Sequence, residues 1–175
     1  MPGKVYQINV KPDTPGEHGL PKRSVEHVVV TRLGLEGDFC RHRYEHGNAP
    51  ERALLIYPLE EIRLLKLEGW PIEAGHIGEN LTTEGIPYEQ FGTQQQDGGK
   101  QKYVLVDGKR FRIGESVEIQ IAKVCNPCSN LSLLPYVDRK FPEFFRRVVG
   151  KRGWYAKVLK DGEIKRGDPI AEVAA

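Results

Sequence analysis

The chain has 175 residues, of which 39% are hydrophobic and 29% charged, and its formal net charge is +2. That balance suits a single globular domain, residues 1–175, and excludes a disordered chain, while the near-neutral charge gives no reason to expect nucleic acid or a membrane as partner. The amino terminus Met1-Pro2-Gly3-Lys4-Val5 lacks an apolar export signal, and the odd count of three cysteines, Cys40, Cys125 and Cys128, argues for reduced thiols in a cytoplasm rather than a secreted disulfide framework.

In chain order, Val5 to Val10 alternates and predicts a half-buried strand with Tyr6, Ile8 and Val10 on one face. Residues Lys11 to Lys22 hold three prolines and read as a loop, and Val28-Val29-Val30 as a second strand closed by the turn-rich Gly34 to Asp38. The stretch Cys40 to Glu51 is polar, without periodicity, and predicts a long loop of the functional kind. Ala53 to Tyr57 is short and apolar. Pro58 then suits a helix start, with Leu59, Ile62 and Leu65 at helical spacing and Gly69 as the stop.

Beyond Gly78-Glu79-Asn80-Leu81-Thr82-Thr83, residues Ile86 to Lys102 read as a loop with the segment Gln94 to Gly99 at its tip. Asp107-Gly108 between two apolar runs predicts a hairpin of Tyr103–Val106 with Lys109–Ile113. Val117, Ile119 and Ile121 alternate, and the phase breaks at Ala122-Lys123-Val124, which predicts a bulge or strand end. Pro142 to Val149 reads as a short helix, Gly153 to Leu159 as a strand, Asp161-Gly162 as a turn and Ile170 to Val173 as a last strand. Many short strands with glycine turns and a few helices indicate a β-rich α+β domain, a closed or nearly closed barrel.

Three patterns carry chemistry. The first is Cys125-Asn126-Pro127-Cys128, which follows a strand and precedes Ser129 to Leu134, a segment able to open a helix. A thiol there is partly exposed near backbone N–H groups that favour the thiolate, the form that ligates soft metals and attacks electrophiles. Four readings stay open: a redox Cys-x-x-Cys, a zinc site joined by Cys40, His42 and His46, two buried apolar cysteines, or a single ligand or nucleophile at Cys128 with Cys125 beside it. The second is Arg41-His42-Arg43-Tyr44-Glu45-His46-Gly47 followed by Arg52, where clustered arginine forks suit an anionic, phosphate-bearing small molecule or simply a solvated loop. The third is a basic run from Arg139 to Arg152 with interleaved aromatics; Glu143 and the near-neutral charge speak against nucleic acid, so its aromatics are expected in the core and Arg146, Arg147, Lys151 and Arg152 on the surface.

The succession Gly37-Asp38, His46-Gly47, Glu51-Arg52-Ala53-Leu54 with Tyr57-Pro58, Gly78 to Gly85, Pro127-Cys128, Gly153-Trp154-Tyr155 and Gly167-Asp168 resembles the MOSC domain, the carboxy-terminal domain of molybdenum cofactor sulfurases. Within that family it is similar to the small stand-alone bacterial members of the YiiM kind, over about residues 20–173. The resemblance implies a β-barrel with a few short helices and binding of the molybdenum cofactor, a pterin with a phosphate-bearing tail, whose metal Cys128 completes. It assigns cofactor contacts to His46 and Arg52, and to Arg43 as the nearest substitute for a lysine whose place Tyr44 takes; Glu79 and Asn80 would line the pocket. Cys125 stands where such members often carry an arginine, removing one contact with phosphate or pterin and adding a second thiol near Cys128. The loop Thr93 to Lys102 is longer than usual.

The activity so implied is reduction of N-hydroxylated compounds. No flavin or haem motif is visible and no pyridoxal phosphate is expected, so electrons would come from a separate protein. Carriage of sulfur as a persulfide on Cys128, or a non-enzymatic thiol or zinc-binding module, are the alternatives.

Overall fold

The computed structural model describes residues 3–16, 19–40, 47–96, 103–105 and 108–174. Thirteen strands follow one another: β1 Gly3–Val10, β2 Arg23–Val25, β3 His27–Thr31, β4 Gly34–Leu35, β5 Leu54–Pro58, β6 Leu81–Glu84, β7 Gln94–Gln96, β8 Tyr103–Leu105, β9 Arg110–Ile113, β10 Val117–Val124, β11 Trp154–Lys160, β12 Gly162–Lys165 and β13 Pro169–Val173. Two α-helices, α1 Leu59–Leu67 and α2 Phe141–Val148, join them with short 3-10 turns.

The main sheet runs β13-β9-β10-β11-β5-β6-β1-β2, and β13 also pairs with β1. That last pairing closes the first seven strands of the order into a barrel, which leaves β2 outside the ring. Closure removes the unpaired backbone edges that an open sheet would expose. All pairings in the ring are antiparallel except β5–β6. A parallel pair needs a crossover, and α1 supplies it. Accordingly β5 is buried along its whole length and lacks the alternation of a one-sided strand. Leu54 and Ile56 belong to the barrel interior, and Tyr57 to a second apolar layer with α1 and α2.

The second layer holds Leu59, Ile62 and Leu65 of α1 and Phe144 and Val148 of α2, so both helices lie where their spacing predicts. Gly69, at φ +91°, turns the chain after α1. Trp154 is fully buried in the barrel; its indole N–H donates to the Tyr88 carbonyl at 3.0 Å, and the two rings lie 5.1 Å apart.

Several expectations change in the structure. In β1 the buried apolar side chains are Val5 and Ile8, with Asn9 buried beside Ile8, because the pairing with β6 shifts register between Val5 and Gln7 and breaks the alternation; Tyr6 turns toward the helical layer. Gln94–Gln96 is a strand rather than a loop tip, and it pairs with β8. Consequently β8 does not form the hairpin expected with β9, whose partners are β10 and β13. The bulge expected in β10 is present, as a register shift against β11 between Ile121 and Lys123. Among the described residues no helix is long and apolar enough to cross a membrane.

Candidate functional site

Where β10 ends, the chain leaves the barrel carrying the cysteines. The bulge changes the inward phase from Ile119 and Ile121 to Val124, and the Cys125 N–H then donates to the Gly153 carbonyl at 2.8 Å. Gly153 is needed there: its φ is +126°, and a Cβ would stand 2.8 Å from the Ile56 carbonyl oxygen. This close approach of the chain before β11 to β5 holds Arg152 and Tyr155 against the end of β10.

A cavity of about 460 Å³ opens at this end of the barrel. Its lining brings together Cys40, Arg52, Lys123, Cys125, Cys128, Arg152 and Tyr155 with Lys11, Lys22, Asp38 and Asn80, residues remote from one another in sequence. Cys128 is exposed at the mouth, directly before the 3-10 turn Ser129–Leu133, whereas Cys125 is buried. All three cysteines are free thiols. Arg43, His42 and His46 lie outside the described residues. Among the described residues no group of three or more His, Cys, Asp or Glu side chains forms a metal-binding cluster.

One side of the cavity is a closed hydrogen-bond network. Asp38 receives Lys22 Nζ at 2.9 and 3.0 Å, the Lys11 N–H at 2.8 Å and Asn80 Nδ2 at 2.8 Å. The Asn80 carbonyl oxygen takes the Leu55 N–H at 3.0 Å, so its carboxamide pins β5 to the Asp38 loop while lining the cavity. Glu79 lies behind this wall and does not line it. It is fully buried, with Oε1 accepting from the Gly75 N–H and the Thr82 hydroxyl, both at 2.7 Å. Burial pushes its carboxyl above the usual range, against the opposing pull of those bonds and of Arg152.

The other side is cationic and incompletely paired. Arg52 lies over the Tyr155 ring at 5.7 Å, and among the described residues its buried Nε has no hydrogen-bond partner. Lys123 reaches the same ring at 5.9 Å and Glu51 Oε1 at 3.1 Å. Burial raises the Tyr155 hydroxyl, with Cys125 adding to the rise and Arg152 and Arg52 opposing it. Arg152, expected on the surface, is instead 6% exposed, and among the described residues its Nε and Nη1 have no hydrogen-bond partner. Along with Lys123 and Tyr155, it is a site residue that the sequence reading missed. Its only local signal was the following Gly153, whose positive φ and tight packing draw the chain inward.

This arrangement can bind a compact anionic molecule and present one accessible thiol to it. Comparison with known proteins agrees in fold and family. YiiM from Geobacillus stearothermophilus superposes with a TM-score of 0.68 over 99% of this chain and 76% of its own, at 24% identity, a likeness of fold alone. YiiM from Escherichia coli gives a TM-score of 0.62 over 99% of this chain and 69% of its own, at 25% identity. A protein named "Reductase" from Gibberella moniliformis is 25% identical over 150 residues, 82% of this chain but only 23% of that protein's length. The family model described as "MOSC domain" matches residues 43–171, most of the barrel together with the cysteine-bearing turn, and the chain therefore belongs to the MOSC domain family.

Proposed function

We propose that this protein binds the molybdenum cofactor in the cavity beside Cys128 and acts as an oxidoreductase on small N-hydroxylated compounds, with electrons delivered by a separate protein in the cytoplasm. The observation that carries the reading is the convergence of an exposed thiol, Cys128, and a guanidinium with an unpartnered buried N–H, Arg52, on one open cavity of about 460 Å³. That volume falls within the range of small-molecule sites, about 300–1,000 Å³.

The residues present fit the group. A thiolate is a soft ligand suited to a metal that also carries sulfur, and Cys128 is the exposed thiol on the cavity wall. The orphaned Nε of Arg52 is a donor awaiting an acceptor, and stacking on Tyr155 holds its plane. Bound there, the cofactor would supply the two-electron chemistry that side chains lack. The protein's share would be positional: Cys128 would hold the metal, Arg52 would hold an anionic group, and the Asp38–Asn80 network keeps its part of the wall in place. In the net reaction two electrons and two protons convert an N–OH to an N–H and release the oxygen as water. The relative named as a reductase supports this direction of chemistry.

A second reading draws on the same exposure of Cys128: carriage of sulfur as a persulfide on that thiol. One experiment separates the two. Wild type and Cys128→Ser are purified from a host that makes the cofactor, and molybdenum, pterin and cyanide-releasable sulfur are measured. Cofactor binding predicts molybdenum and pterin near one per chain in wild type and loss of the metal in Cys128→Ser. Releasable sulfur that vanishes in Cys128→Ser, with no molybdenum in either protein, would establish the carrier instead.

A further inference from the structure

Arg152 carries a charge into a place where charges are costly to keep. It is 6% exposed, and among the described residues neither Nε nor Nη1 meets an acceptor. The nearby carboxylate, Glu79, does not complete it: Glu79 Oε1 is held by Gly75 and Thr82, its Oε2 has no hydrogen-bond partner, and burial favours its neutral form. Removing a cation from water without a partner is strongly unfavourable, so a residue kept in that state has a use for the unpaired donors. Lysine in such a position would lose its proton readily. Arginine stays charged and offers two parallel N–H groups to a tetrahedral oxyanion.

The cavity's lysines are already engaged. Lys22 is bonded to Asp38, Lys123 to Glu51, and Lys11 to the Pro12 carbonyl with its ammonium over the Phe39 ring. Arg152 also sits beside the end of β10, since the Cys125 N–H donates to the carbonyl of Gly153, the residue after Arg152.

We propose that Arg152 is the oxyanion-binding residue of this cavity, its buried guanidinium receiving a phosphate monoester group of the bound ligand. This deepens the reading of a cofactor site and rests on it for the ligand's identity, although the phosphate chemistry stands without it. The phosphate is either the cofactor's own or one carried by a second small molecule.

The test uses inorganic phosphate as probe, with chloride at equal ionic strength as control, and follows thermal unfolding and phosphate affinity. Protein from a host that cannot make the cofactor should be stabilised by phosphate. Arg152→Met should weaken phosphate binding about tenfold or more, the effect of losing a charge-assisted hydrogen bond. In chloride the same variant should melt higher than wild type, because an uncompensated buried charge has been removed. Arg152→Lys should recover part of the phosphate effect, which keeps the test informative if Arg152→Met does not fold. In protein loaded with molybdenum and pterin, loss of the phosphate response assigns the subsite to the cofactor's phosphate, and an unchanged response assigns it to a separate ligand. No phosphate response in wild type, or the same response in wild type and Arg152→Met, overturns the proposal. Wild type that binds phosphate through Arg152 but never holds molybdenum refutes only the cofactor reading; wild type that retains molybdenum but whose cofactor-free form gives no phosphate response refutes only the role of Arg152.

Discussion

On the side of the cavity built from Asp38, Asn80 and Lys22, each of these side chains meets a partner, whereas on the side built from Arg52 and Arg152 buried N–H groups meet no acceptor among the described residues. Both sides are polar and both are largely withdrawn from water, so burial alone does not distinguish them. Satisfaction does. A network whose donors and acceptors match has nothing left for a ligand and serves the fold, while donors without acceptors keep their capacity for something that arrives later. A difference in hydrogen-bond completeness thus separates scaffold from binding surface within one pocket.

Substitutions on either side sharpen that contrast. The largest loss of stability is expected from Asp38→Ala, which leaves Lys22 Nζ, the Lys11 N–H and Asn80 Nδ2 without their acceptor. Breaking such a pair should cost about 3–5 kcal/mol in denaturant unfolding. A loss below about 1 kcal/mol, the level of an exposed ion pair, would show that the network is not structural. On the opposite side, Arg52→Met should change stability by no more than about 1 kcal/mol, the scale of its contact with Tyr155, yet reduce the pterin content of purified protein. Equal pterin in wild type and variant would remove Arg52 from the binding surface.

The smallest effect is expected from Glu79→Gln. Burial raises the Glu79 carboxyl above its unfolded value, so the folded state favours the protonated form. Its contribution to stability is therefore full below the unfolded pKa of about 4.3 and declines as pH rises through the higher folded value. The glutamine keeps an acceptor for Gly75 and Thr82 and does not ionise. The melting temperature of the variant should gain on wild type as pH is raised from 4 to 8, and parallel curves would contradict the assignment.

Short-range patterns were legible wherever local chemistry decides the conformation. The apolar spacing of Leu59, Ile62 and Leu65 marked α1, and the broken alternation after Ile121 marked the bulge that redirects the chain before the cysteines. Cys128 and Arg52 were recognisable from the company they keep in sequence, and both line the cavity. Glu79 was grouped with Asn80 because the two are adjacent, but consecutive residues diverge here, and Glu79 lies behind the wall that Asn80 lines. Strand pairing was less legible: β8, read as the hairpin partner of β9, instead joins β7, which lies within the segment read as a loop, because a turn dipeptide does not determine which strand becomes the partner.

By itself the sequence determined which residues could carry chemistry, an accessible thiol after a strand and arginines able to grip an anion, and that short strands would make up most of the fold. Only the tertiary structure decided that Arg152 is buried, that Asp38 is saturated and that Arg52 and Arg152, both lining one cavity, keep buried donors with no acceptor among the described residues. The physical reason is range. Helical spacing and turn chemistry act over a few residues, but whether a charge is buried and what it meets depends on closure of the barrel, which sets β1 against β13 and packs Gly153 against β5.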